Sequence, residues 1–190
     1  MPRISLPHPD TMTPEQRRVH DSIVNGPRGR IQGPLRAALH NPELAERWSA
    51  LGALLRYGTG LSRRQAELAI LVTGRASQSP FEWYAHEIEA EKAGIERVVI
   101  DALLQQRLPE GLDETDTVIV QVAMELKRLH SITDDTYARA LALLGERTLV
   151  ELTALVGYYT MVAMTLNAHE IPLPEGVAPA FALPQHQARA

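Results

Sequence analysis

The chain has 190 residues, 45% hydrophobic and 22% charged, a globular composition with core enough for one domain. Nineteen Lys and Arg stand against 23 Asp and Glu, a formal charge of −4, so the basic excess of a nucleic-acid binder is missing. There is no cysteine, which excludes disulfides, a cysteine nucleophile, thiolate metal sites and thiol redox cycling by the chain itself.

Met1 to Asp10 is proline-rich and lacks an apolar secretory core, which reads as a cytoplasmic protein with a flexible N-terminal arm over residues 1–12. Helix signals then follow in series, and strand signals are close to absent. Thr13-Pro14-Glu15-Gln16 has an N-cap, a proline at the first helical position and capping-box spacing. Asn41-Pro42 opens a second helix with Leu44, Trp48, Leu51 and Leu55 on one stripe until Gly58. Ser62 with Gln65 starts a third, running to about Gly74. Ser79-Pro80-Phe81-Glu82 starts a fourth, ending at Gly94. A shorter segment spans Glu96 to Gln106. Asp113 opens a helix to about His130 with Val118, Val122, Leu126 and Leu129 on one stripe. Thr133 caps another that ends at Gly145, and a last long helix runs from near Glu146 to about Ala168. Seven or eight helices joined by short turns predict an all-α bundle over residues 13–171. Four prolines mark residues 172–190 as an arm on the surface or on a neighbouring subunit.

The stretch Leu152 to Ala168 carries no formal charge but falls short of the roughly 20 residues that span a bilayer, so no membrane segment is expected. Its apolar length and the proline-rich tail instead predict an obligate homo-oligomer. The words around Glu67 and His86 recur around Glu151 and His169, at offsets of 84 and 83. This is either coincidence or a duplicated helical hairpin. Only the first copy has a break, Gly74 to Gln78, that can fold its carboxylate and histidine together.

Glu67 is the only charge from Ala66 through Gly74, so it is buried and needs a partner or a raised pKa. Arg63, Arg64 or Arg75 could be a purely structural partner. Glu82 and His86 are four apart and share a helix face. Glu82 could instead complete a capping box with Ser79, and His86 could pair with Glu82 or Glu89 on a solvated face. Glu82, His86 and Glu89 have ligand-compatible spacing, but Ala90 stands where a zincin needs its second histidine, and no metal or other cofactor is expected. Ser79 lacks the flanking glycines of a nucleophile elbow.

At these residues the sequence resembles a known family. Glu67-Leu-Ala-Ile-Leu-Val, a short loop, then Glu82-Trp83-Tyr84-Ala85-His86-Glu87 with Ala90 and Ala93-Gly94-Ile95 is similar to the carboxymuconolactone decarboxylase family, whose superfamily includes the AhpD-like alkylhydroperoxidases. The likeness extends through Gly33-Pro34-Leu35, Asn41-Pro42-Glu43-Leu44 and Gly157-Tyr158-Tyr159, covering most of residues 30–173. It implies an AhpD-like all-α orthogonal bundle that assembles as trimers or hexamers. The peroxidase branch has a glutamate followed by Cys-x-x-Cys-x-x-x-His, with the histidine 19 residues after the glutamate. Glu67 and His86 keep that spacing, while Ser79 and Glu82 occupy the cysteine positions, so peroxidase chemistry does not carry over. The decarboxylase branch has a glutamate four residues before the histidine, as Glu82 is here.

The resemblance thus implies a cofactor-free lyase or isomerase acting on a small carboxylated, lactone-like or enol-forming substrate. His86 would be the general acid or base, Glu82 its orienting partner and Glu67 a second proton carrier. Ser79, Trp83 and Tyr84 flank this group, and Arg30, Arg36 and Arg75 are candidates to face a carboxylate or developing oxyanion. The alternative is a non-catalytic oligomeric helical protein that keeps the Glu/His cluster as a structural network. A cavity beside His86 would favour the first reading, and side chains tied up with no space beside them the second.

Overall fold

The computed structural model describes residues 2–26 and 29–182. Among them the chain is all α, with eight helices and no strand. In order these are α1 (Pro14–Val24), α2 (Pro34–Ala38), α3 (Pro42–Tyr57), α4 (Arg63–Ala76), α5 (Pro80–Lys92), α6 (Arg97–Leu104), α7 (Glu114–Leu129) and α8 (Asp134–Ala168).

The helix starts follow from local chemistry. Thr13 and Gln16 form a reciprocal capping box at α1, and Ser62 and Gln65 form a second at α4. Asn41 caps α3 through Leu44 N–H at 3.1 Å, and Asp113 caps α7 through Asp116 N–H at 2.7 Å. Ser62→Ala removes the hydroxyl that accepts Gln65 N–H, and is expected to cost about 1 kcal/mol. A urea unfolding curve should show a lower midpoint with an unchanged slope.

α4 is the hub. Its residues Ala66 to Gly74 are all buried, and it packs against α5, α7 and α8, with α6 and α3 at its margins. A helix covered on every side must be apolar on every side, which makes Glu67 within it exceptional. α4 and α5 approach closely at Gly74, where a Cβ would lie 3.4 Å from Glu82 Cβ and 3.6 Å from Trp83 N. The turn between them brings the Glu67 face of α4 against the His86 face of α5.

The expected break at Gly145 is present: α8 is two helical segments that meet at a kink there, its φ of 72° and ψ of 167° being open to glycine. Some faces differ from the sequence expectation. On α3 the buried face centres on Ala45, Trp48, Gly52 and Leu55, leaving Leu44 and Leu51 exposed. On α7, Val118 and Val122 are buried but Leu129 is exposed in the last turn. Ser79 stands at the N-cap of α5 without a side-chain cap bond, and the Glu82 side chain turns to His86 rather than back to the Ser79 N–H.

Residues 2–12, expected as an arm, lie against the body. Arg3 N–H donates to His169 carbonyl at 2.8 Å, and Arg36 donates to the Leu6 and Pro7 carbonyls at 3.2 Å. Arg17 reaches the Pro9 carbonyl, and Ile4, Leu6 and Met12 pack on the core. At the other end the Phe181 ring meets Trp83 edge-on at 6.4 Å, with the Arg75 guanidinium 4.4 Å from its centroid. The remainder of the expected C-terminal arm, 183–190, lies outside the described residues.

Candidate active site

Four helices converge on one imidazole. α4 supplies Glu67, whose Oε2 lies 2.6 Å from His86 Nδ1. α5 supplies His86 and, one turn earlier, Glu82, whose Oε1 lies 3.1 Å from His86 Nε2. α3 brings Arg56, with Nη2 3.4 Å from Glu67 Oε1 and 3.8 Å from Glu89 Oε2. α8 sets the Tyr159 ring edge-on to His86 at 4.9 Å. Glu67, Glu82 and His86 are 2%, 4% and 7% exposed, so all three interact in a low-dielectric setting.

The electrostatics favour a charged imidazole. Burial alone would push His86 down, but the charge and hydrogen bond of Glu67 act against it, helped by those of Glu82. The balance raises its pKa to about 9. At neutral pH both ring nitrogens therefore carry protons, Nδ1 donating to Glu67 and Nε2 facing Glu82 as an ion pair. Burial keeps the Tyr159 phenol well above its usual pKa, and hence protonated.

Beside this group lies a cavity of about 360 Å³. His86 and Glu82 form part of its wall, with Arg56, Tyr158, Tyr159 and Phe81 opposite or adjacent and Arg30 also lining it. Glu67 does not line it and stands behind the imidazole. Glu67 thus lies on the core side of His86, and His86 and Glu82 share the cavity wall.

The other sequence candidates lie elsewhere. Ser79 is buried with its Oγ lacking a partner among the described residues, and Trp83 is fully buried; neither lines the cavity. Tyr84 and Arg36 line an adjoining hollow of about 470 Å³, and Arg36 is engaged by the N-terminal carbonyls. Arg75 donates to Leu104 carbonyl at 2.7 Å and borders a separate hollow of about 460 Å³. Of the three arginines proposed to face substrate, only Arg30 reaches the cavity with His86. The arginines considered as partners of Glu67 are also committed elsewhere: Arg63 to Glu89, and Arg64 to Asp116 and Glu96.

Arg56 and Tyr159 were the residues the sequence reading missed. Arg56 carried the same signal as Glu67, being the only charge between Arg47 and Arg63. The second copy of the internal echo makes no site. Glu151 accepts from Gly60 N–H at 2.8 Å and from Arg147, while His169 stands 18 residues on at the C-cap of the same helix, about 27 Å along its axis. Among the described residues no group of three or more His, Cys, Asp or Glu side chains is arranged to hold a metal ion.

The fold is an AhpD-like all-α bundle. Residues 42–124, which hold Arg56, Glu67, Glu82 and His86, match the carboxymuconolactone decarboxylase family. No curated protein sequence matches the chain. Solved structures share the fold at low identity. A peroxidase-related protein with an alkylhydroperoxidase AhpD core from Ralstonia eutropha JMP134 is 13% identical, with 92% of this chain and 93% of that one covered and a TM-score of 0.76. Another peroxidase-related protein, from Silicibacter sp. TM1040, is 17% identical over 90% and 91%, also at 0.76. A debrominase in complex with 2,3,4-tribromopyrrole is 12% identical over 90% of each chain, at 0.72.

Proposed function

We propose that this chain is a cofactor-free acid–base enzyme, a lyase or isomerase acting on a small carboxylated, lactone-like or enol-forming substrate. The observation that carries this reading is a buried Glu67–His86–Glu82 relay whose outer end borders a cavity. A cavity of about 360 Å³ suits a single-ring molecule, the size class of the tribromopyrrole held by the debrominase of the same fold.

The geometry supports roles that differ from those expected from the motif. With both imidazole nitrogens occupied, Glu82 is the carboxyl that meets substrate, and His86 supplies or withdraws its proton. Glu67 holds the ring and its charge. In a lyase step, the bond from substrate carbon to its carboxylate breaks, carbon dioxide leaves, and the electron pair stays as an enolate. The proton on His86 Nε2 then passes through the Glu82 carboxylate to that carbon, leaving the imidazole neutral until solvent reprotonates it. In an isomerase step the Glu82 carboxylate takes a proton from one carbon and returns it to another. Arg56 in the wall and Arg30 beside it are the cations for the carboxylate or enolate oxygen.

The purified protein should release carbon dioxide from, or isomerise, at least one member of a panel of carboxylated lactones and 2-keto acids. Turnover of none, with no panel member raising the melting temperature, would favour the competing reading of a purely structural Glu/His network. That reading draws its support from the same fact that both His86 nitrogens already face a carboxylate. No thiol-dependent peroxidase turnover is expected, since no residue can form a sulfenic acid. Protein-dependent consumption of an alkyl hydroperoxide with a dithiol reductant would contradict this.

A further inference from the structure

The chain has more acidic than basic side chains, 23 against 19, yet the hollow of about 460 Å³ bordered by Arg75 is basic. It lies between the last turns of α4, the end of α6 with the loop after it, and α7. Arg75, Lys127 and Arg128 line it against one carboxylate, Glu125, among the described residues. It shares no lining residue with the cavity at His86, so the proposed reaction makes no use of it.

Glu125 does not neutralise these cations. Its oxygens serve the start of α8, accepting Thr133 N–H at 2.8 Å and the Thr136 hydroxyl at 2.7 Å. Arg128 is the weakest of the groups that hold Glu125 ionised, and it forms no ion pair among the described residues. Lys127 is half-buried, and its ammonium donates to the Thr160 hydroxyl at 2.9 Å, a neutral acceptor that itself donates to Val156 carbonyl. No carboxylate pairs with that ammonium among the described residues, and burial pushes its pKa below the ordinary lysine value. Arg75, also half-buried, gives Nε to Leu104 carbonyl and lays its guanidinium on Phe181. Both its Nη groups are left without a hydrogen-bond acceptor among the described residues. A cation drawn out of water without a counter-charge is destabilising, and an anion entering the hollow offsets that.

The rest of the wall defines the other end of such a ligand. Val72, Leu103, Leu108 and Met124 border the same hollow. A bare ion would leave these side chains against water, whereas a molecule with an apolar body covers them. We propose that this hollow is a second ligand site, taking a monocarboxylate with an apolar body. The carboxylate meets Lys127, Arg128 and the Arg75 Nη pair, whose planar fork suits two oxygens. The body lies on Met124 and Leu103, in a volume with room for a medium-length acyl chain.

Octanoate, below its micelle-forming concentration, is the probe, and the Met124 methyl is the reporter. In protein carrying carbon-13 in its methionine methyls, octanoate should shift the Met124 signal saturably and leave Met12 and Met161, which do not line the hollow, in place. Met124→Leu identifies the signal by its loss. Lys127→Gln and, separately, Arg128→Glu should each raise the half-saturating concentration about tenfold or more, as expected for losing a charge-assisted contact. Arg128 is exposed, so Arg128→Glu keeps the fold and the test intact even where Lys127→Gln unfolds. Octanol, the body without the charge, and inorganic phosphate, the charge without the body, should each bind about tenfold more weakly or worse. Failure of Met124 to shift saturably would overturn the inference, as would a shift untouched by both charge variants or one at Met161 in place of Met124. Octanol or phosphate binding as tightly as octanoate would also overturn it, leaving a merely apolar hollow or a bare anion site. None of these outcomes depends on whether the cavity at His86 turns over a substrate.

Discussion

His86→Gln is expected to slow turnover about 100-fold or more, the range for losing a general acid or base. The amide can still donate to one carboxylate, but it neither carries a charge nor releases a proton. Glu82→Gln should lose a comparable factor, because Glu82 lines the cavity wall beside His86. The loss should fall on kcat, with KM changed little, since Arg56 and Arg30 remain to bind the substrate's carboxylate. His86→Ala is a harsher change. It leaves two carboxylates, 2% and 4% exposed, without the cation between them, and Arg56 reaches only Glu67. Uncompensated buried charge costs about 3–5 kcal/mol, so that variant should also unfold at a lower denaturant concentration. Wild-type turnover by His86→Gln, with helices intact by circular dichroism, would leave the cluster a structural role only.

What the sequence revealed and what it hid divide along physical lines. The helix starts at Thr13, Asn41, Ser62 and Asp113 were legible because a cap and the N–H it satisfies lie within three residues of each other. The interruption at Gly145 was legible for a similar reason, since glycine readily takes the positive φ found there. The Glu67 and His86 pair was legible from a buried carboxylate and a fixed spacing across one turn. The arginines were not. Arg36 and Arg75 each end on backbone carbonyls contributed by segments about 30 residues away, and Arg56 meets Glu67 across a helix–helix contact. Such partners are set by packing, which no local pattern encodes. The exposed Leu44 and Leu51 have the same origin: spacing finds a stripe, and neighbouring helices decide which edge of it they cover.

Glu67→Gln is expected to move the His86 pKa from about 9 toward its ordinary 6.5, and further than Glu82→Gln moves it. Burial already pushes the imidazole down, and Glu67, through its charge and then its hydrogen bond, is the foremost influence holding it up. With Glu67 neutral, Arg56 also loses the carboxylate nearest to it and becomes a cation facing the ring's charged form. His86 is then largely uncharged at pH 8 and cannot reprotonate Glu82. Imidazole carbon and nitrogen chemical shifts, followed by NMR through the titration, measure this directly. Stability should follow the same linkage. A histidine whose pKa is raised on folding contributes its full stabilisation below the unfolded value of 6.5 and loses it as pH rises through about 9. For the wild type that contribution is on the order of 3 kcal/mol. Its unfolding free energy should therefore decline between pH 6.5 and 9, whereas that of Glu67→Gln should be nearly flat across the window. If the decline is equally steep in both, Glu67 does not hold the charge on His86, and the inner end of the relay is misassigned.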